Sequence, residues 1–248
     1  MVHSVRSTHL GSTDADVVEA LRQALQGRIR PEQVTLESAA RIWTDVVYTS
    51  LGSAVVLARV FAVVPAGALP AAELAYARAR AAQAGHTLAE DSQVLALMAT
   101  RGTWPAWNER HRSLDHRAVP LASPEYVASV PMISSLLGDL GAELRPRPEG
   151  KATWVCGTGT IGTFYVFDAR TSVDARGRLT IPSREFVQEH DVRTVLGVGG
   201  TVRGGMLFAM ILFARQHVTR SVADRLVPVA ADFASLVQDA VDGGRVFM

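Results

Sequence analysis

The run VRTVLGVGGTVRGGMLFAMILFAR (192–215) constrains the fold of this chain more than any other. Two apolar, strand-forming stretches are separated by glycines, which reads as two antiparallel strands joined by a Gly-rich turn. The glycines from Gly197 to Gly205 read more simply as a tight turn with a bulge than as a phosphate cradle. Thr219 then caps a long helix in which Val222, Leu226, Val229, Phe233, Leu236 and Val237 share one broad face. That face is wider than one sheet needs, so a homodimer built on this helix is expected.

Upstream, the elements follow from periodicity and from turn residues. Ser12 or Thr13 caps a short helix over Asp14 to Leu25, with acids in its first turn. Beyond Pro31, Val34, Ala39, Ile42, Val46 and Val47 lie near one face of a second helix that Gly52 stops. AVVLARVFAVV (Ala54 to Val64) is β-branched and short, hence a strand, and PAGALP turns the chain into an Ala/Arg helix over Leu69 to Ala84. Gln93 to Thr100 is a second strand. Pro124 to Leu140 reads as a helix broken at Pro131, and Glu143 to Lys151 as a turn-rich connector. ATWVC and GTFYVFDA are strand-like, and Pro182 opens a short helix that Asp191 ends. The order of elements predicts an α+β fold, a largely antiparallel central sheet flanked by N- and C-terminal helices. Residues 1–30 read as an extension with a short helix and 31–248 as the main domain.

Composition excludes several classes of function. A net charge of +1 gives no general attraction to nucleic acid or to an anionic membrane. Positive charge is almost all Arg, with Lys151 the lysine. One cysteine, Cys156, leaves no intramolecular disulfide and no Cys-cluster zinc site. No apolar run approaches the ~20 residues that span a bilayer, and the polar N-terminus lacks a signal-peptide core. A cytoplasmic location is expected.

Chemistry concentrates in ATRGTWPAWNERHRSLDHRAVPLAS (99–123), which follows a strand and a Gly turn. Trp104, Trp107, Asn108, Arg110 and His116 form the candidate ligand-binding set, with Cys156 added from outside the segment. Indole faces suit a planar or apolar ligand, while Asn108 and His116 supply directional hydrogen bonds. The plainer alternative is that Trp107 and Asn108 pin a long loop to the sheet, Asn108 satisfying backbone groups. His111 and His116 are five apart, which does not stack them for a shared metal. A haem on one axial histidine stays open, since a single ligand needs no spacing rule. Gly157-Thr-Gly-Thr-Ile-Gly162 matches a dinucleotide fingerprint literally, yet strand formers follow it where a helix is needed. Cys156 reads either as a reactive thiol or as an inert packing residue. Catalytic residues are not apparent: no carboxylate pair has acid/base spacing, and no G-x-S-x-G elbow occurs.

Three segments together resemble a GAF-like sensory module found upstream of bacterial histidine kinases: ATRGTWPAWNERHRSLDHRAVPLAS, VPMI (130–133) and VRTVLGVGGTVRGGMLFAMILFA. The resemblance spans roughly residues 36–241 and departs at Asp115, where the family carries Gly. It implies a GAF fold with the ligand on the sheet face opposite the first and last helices, and the Trp/His motif on a long insert. It also implies a small-molecule-binding sensory protein in signal transduction. With no kinase, response-regulator or DNA-binding segment in this sequence, output would pass through a signalling protein partner. A small standalone enzyme using the same pocket is the alternative.

Overall fold

The computed structural model describes residues 10–12, 14–113, 115–146, 152–155, 157 and 159–248. Strands form where the apolar runs fall: β1 (Val55–Pro65), β2 (Gln93–Gly102), β3 (Ala118–Pro120), β4 (Glu143–Pro146), β5 (Ala152–Val155), β6 (Ile161–Val166), β7 (Thr194–Thr201) and β8 (Leu207–Ala214). Among the described residues, six of them make one antiparallel sheet in the order β3-β2-β1-β8-β7-β6, and β4 pairs with β5 separately. The centre of the sheet joins the two most apolar strands, with Val60 opposite Met210 and Ala62 opposite Phe208. Strands β7 and β8 are buried at every position. Covered on both faces, they have no solvent side to require polar alternation, so their sequence runs apolar throughout.

The helices are α1 (Ala15–Arg28), α2 (Leu36–Leu51), α3 (Ala71–Gln83), α4 (Pro124–Ser129), α5 (Pro131–Asp139), α6 (Arg184–Glu189), α7 (Arg220–Arg225), α8 (Val227–Leu236) and α9 (Gln238–Asp242). They divide between the two faces of the sheet. Helices α1–α3 and α7–α9 cover the side that presents Val60, Phe208 and Met210. Helices α4–α6, with Trp154 of β5, cover the side that presents Phe61, Leu97 and Ile211. The expected α+β architecture, an antiparallel sheet flanked by the first and last helices, is the one observed.

Local chemistry explains most boundaries. Asp14 caps α1, its carboxylate accepting from the Val17 N–H at 3.1 Å. Thr35 and Ser38 cap α2 reciprocally, at 3.1 Å from the Ser38 N–H to Thr35 Oγ1 and 3.0 Å from the Thr35 N–H to Ser38 Oγ. Pro131 divides α4 from α5 as the sequence predicts, and Asp191, with φ 52°, ends α6.

Beyond the cap of α1, which is Asp14 where Ser12 or Thr13 was expected, and residues 143–146, which form strand β4 where a connector was expected, two expectations need correction. The C-terminal helix is three segments, not one: Pro228 has no N–H to give the Asp224 carbonyl and its ring crowds that oxygen, so α7 closes before α8 begins. Thr219 stands at the cap position but makes no capping bond; its hydroxyl pairs with that of Ser221 at 2.7 Å. The apolar face of these segments is taken up within one chain, against α1 and strands β6 and β7. The second correction concerns the glycine-rich stretch. Only Val202–Met206 makes the turn, closed by the Val202 N–H to the Met206 carbonyl at 3.0 Å, whereas Gly197, Gly199 and Gly200 lie inside β7. A Cβ at Gly197 would sit 2.6 Å from the Met210 carbonyl oxygen, so these glycines serve close strand approach.

Candidate functional site

The segment after β2 leaves the sheet edge and wraps it. Pro105–Asn108 and Arg110–Arg112 each make a single 3₁₀ turn, and the chain returns to the sheet at β3. Along this path the candidate residues separate into three clusters.

The first cluster is aromatic. Trp104 stacks on Trp107 with centroids 5.4 Å apart and planes 15° apart. His190, at the end of α6, meets both indoles edge-on at 4.9 and 4.7 Å, and Phe186 meets Trp107 at 5.6 Å. The seat for Trp107 exists because position 102 is glycine: a Cβ there would lie 2.7 Å from Trp107 Cε3. Trp104 remains 48% exposed. Asn108 directs its Oδ1 at the backbone, accepting from the Gly102 N–H at 3.0 Å, and thereby ties the turn to the end of β2.

Arg110 belongs to a second cluster, on the side of the terminal helices. Its Nε donates to Glu37 Oε1 at 2.6 Å, its Nη2 to Glu37 Oε2 at 3.3 Å and its Nη1 to Glu73 Oε1 at 2.8 Å. All three residues are buried, and the guanidinium carbon lies 5.4 Å from the centre of the Phe247 ring. Exposed His111 adds its Nδ1 at 3.0 Å from Glu73 Oε1. Glu37 Oε2 also accepts from the Met248 N–H at 3.1 Å, so the last residues dock on the same cluster.

His116 lies in the third. Its backbone is left-handed, φ 62°, at the tip of the return to β3. Burial, then the charges of Arg59 and Arg80, push its imidazole below the ordinary histidine range, and Asp115 opposes them in part. A cavity of about 40 Å³ beside it is lined by Tyr76, Arg80, Asp115, Tyr126 and Val130. That volume falls far below the several hundred Å³ of ordinary cofactor pockets, and no haem fits there without displacing α3 or α4. A larger, open groove of about 460 Å³ runs past α6, floored by Leu179, Ile181 and Val187 with Arg170 and Arg184 at its rim.

Trp104, Trp107 and Asn108 thus act together, while Arg110 and His116 have separate surroundings. Cys156 lies outside the described residues. Among the described residues no group of three or more His, Cys, Asp or Glu could hold a metal, and no helix is long and apolar enough to cross a membrane. Sequence reasoning missed Glu37, Glu73 and His190, and it missed Arg59, the one charge within the β1 run.

The depressed His116 imidazole has a consequence for stability. Below about pH 6.5 the unfolded chain takes up a proton at this position that the folded chain refuses. Stability that is present above that pH is therefore lost as the pH falls toward the folded-state value. His116→Asn, which tolerates a left-handed backbone, is expected to flatten the fall in melting temperature between about pH 7 and about pH 5. An unchanged slope in the variant would show that His116 titrates normally.

No protein-family model and no curated protein matches the chain. It is similar to solved GAF domains. One is the phycoerythrobilin-bound GAF domain from a cyanobacterial phytochrome, 11% identical over 91% of this chain and 97% of that one, with a TM-score of 0.45. Another is the GAF domain from an Acinetobacter phosphoenolpyruvate-protein phosphotransferase, 14% identical over 92% and 96%, with a TM-score of 0.46.

Proposed function

We propose that this protein is a small-molecule-binding sensory domain in which the 103–117 segment reports occupancy. The observation that carries this reading is that one short segment grips both layers of the fold. Trp107 packs on the sheet face of α6, while three residues later Arg110 is locked to α2, α3 and the C-terminal tail. A ligand that orders or displaces this segment biases both layers at once, the differential contact that coupling requires.

A test combines a thermal-shift screen of the full chain against a library of small metabolites with hydrogen–deuterium exchange on any compound that binds. The expected result is protection at 103–117 together with altered exchange at the start of α2 and at 245–248. Binding with protection confined to one layer would remove the reporting role, and a library without a single binder would remove the sensory reading.

A further inference from the structure

Arg59 stands in the middle of the sheet, opposite Thr100 of β2 on one side and Ile211 of β8 on the other. Cross-strand partners point to one face, here the face of Phe61 and Leu97, opposite the terminal helices. The Arg59 Nη2 donates to Ser113 Oγ at 3.2 Å, and its Nε is buried with no hydrogen-bond partner. Thr100, beside it, is 7% exposed, and its Oγ1 is likewise buried without a partner. Among the described residues no carboxylate pairs with this guanidinium, although Asp115 lies within electrostatic reach. Burial draws Arg59 down to about 10, with Asp115 acting the other way, so it is a cation at neutral pH.

Each buried polar group left unsatisfied costs on the order of 1–3 kcal/mol, and here two adjoin, one of them charged. The Nε and Nη2 edge of a guanidinium is the fork that takes both oxygens of a carboxylate. Thr100 Oγ1 has a proton to give to the same group. Ser113 does not: its hydroxyl proton goes to the Asp115 carbonyl oxygen at 2.7 Å, so it holds the guanidinium as an acceptor.

We propose that Arg59 and Thr100 bind the carboxylate of a small organic acid, with Ser113 orienting the fork and His116 beside the bound group. This gives a chemical class to the ligand of the sensory reading and rests on that reading. Two cations, Arg59 and Arg80, act on His116 together with one carboxylate, Asp115, a balance of one positive charge that suits a monoanion better than a phosphate dianion. The cavity at Asp115 and His116, about 40 Å³, is lined by neither Arg59 nor Thr100 and has room for roughly two or three waters, so the acid is a short one and the side chains between cavity and fork must shift to admit it. His116 is faced by Arg59 from β1, Arg80 and Tyr76 from α3, Asp115 from its own turn and Tyr126 from α4. A carboxylate placed among these groups offsets the cations that disfavour imidazolium, so binding and proton uptake reinforce each other and affinity rises as the pH falls.

The test is calorimetric titration and thermal shift of the full chain with acetate, propionate and pyruvate, against acetamide as the neutral isostere and inorganic phosphate as the competing anion. At least one of the acids is expected to raise the melting temperature saturably, more strongly at lower pH, and acetamide is not. Arg59→Met, which removes a buried cation while keeping chain length, is expected to weaken acid binding at least about tenfold. Thr100→Val should weaken it less and Asp115→Asn should tighten it, and these two variants decide the matter if Arg59→Met does not fold. Equal binding of acetamide, binding of phosphate alone, or unchanged affinity in Arg59→Met would overturn the proposal. A neutral library compound that binds while every acid fails would overturn it and leave the sensory reading standing; no binder of any kind would remove both.

Discussion

Replacing Arg110 by alanine is expected to cost the fold about 3–5 kcal/mol, seen as a drop in the urea midpoint of the full chain. The reason is the company that Arg110 keeps. Glu37 and Glu73 are 3% and 1% exposed, and this guanidinium, itself 8% exposed, bonds to both. Without it two carboxylates remain in the interior, with the exposed His111 imidazole at the rim beside Glu73, and an uncompensated buried charge is far more costly than a lost surface pair. Lysine cannot reproduce bonds to two acids through Nε, Nη1 and Nη2, so Arg110→Lys should recover only part of the loss. The combined change Arg110→Met, Glu37→Gln and Glu73→Gln should be less damaging than Arg110→Ala alone, because it removes the charges together. The tail should loosen as well, since the Leu36 and Glu37 N–H groups donate to the Arg245 and Val246 carbonyls at 2.9 Å beside the cluster. A loss under about 1 kcal/mol would place the cluster in effective contact with water.

How much of this could be read from the sequence depended on whether the signal was local. The β7–β8 hairpin, the break at Pro131, the stop at Gly52 and the α+β class all rest on periodicity and turn chemistry confined to a few residues, and all appear in the structure. The plainer role considered for Asn108, satisfying backbone, matches its bond to the Gly102 N–H, which is only six residues away. The charged clusters were not legible in this way. Glu37 and Glu73 sit in the first turns of α2 and α3, where an acid is ordinarily a solvated partner of the helix dipole. Nothing near them in sequence says that Arg110, 73 and 37 residues away, closes over them. Arg59 did leave a trace: a lone charge inside a β-branched run must either face solvent or have a purpose. Its neighbours on the sheet face were set by strand order, and the order β2-β1-β8 is a property of the whole chain.

The same distinction applies to Trp43, where Trp43→Ala is expected to cost about 3–5 kcal/mol. Trp43 is fully buried on α2, stacked on Phe233 of α8 at 4.3 Å and 25°, and edge-on to Phe208 of β8 at 6.0 Å. It therefore joins the first long helix, the C-terminal helices and the central sheet at one point. Its indole Nε1, however, is buried with no hydrogen-bond partner. Trp43→Phe keeps a ring against Phe233, loses part of the packing and removes a donor whose isolation costs roughly 1–3 kcal/mol. The two terms nearly cancel, so the phenylalanine variant should unfold within about 1.5 kcal/mol of the parent while the alanine variant falls well below it. Urea denaturation of the pair reads the difference directly. If phenylalanine proved as damaging as alanine, the N–H would have a partner in solution and the unpaired donor would not be a feature of the folded protein. If the difference holds, the helical layer is fixed to the sheet by ring packing rather than by polar contacts at this point. The Arg110 cluster, less than two turns away at the start of α2, then supplies polar contacts that this point lacks, as do Arg101 with Asp45 at 3.5 Å and Thr163 with Asp224 at 3.0 Å between strands and helices.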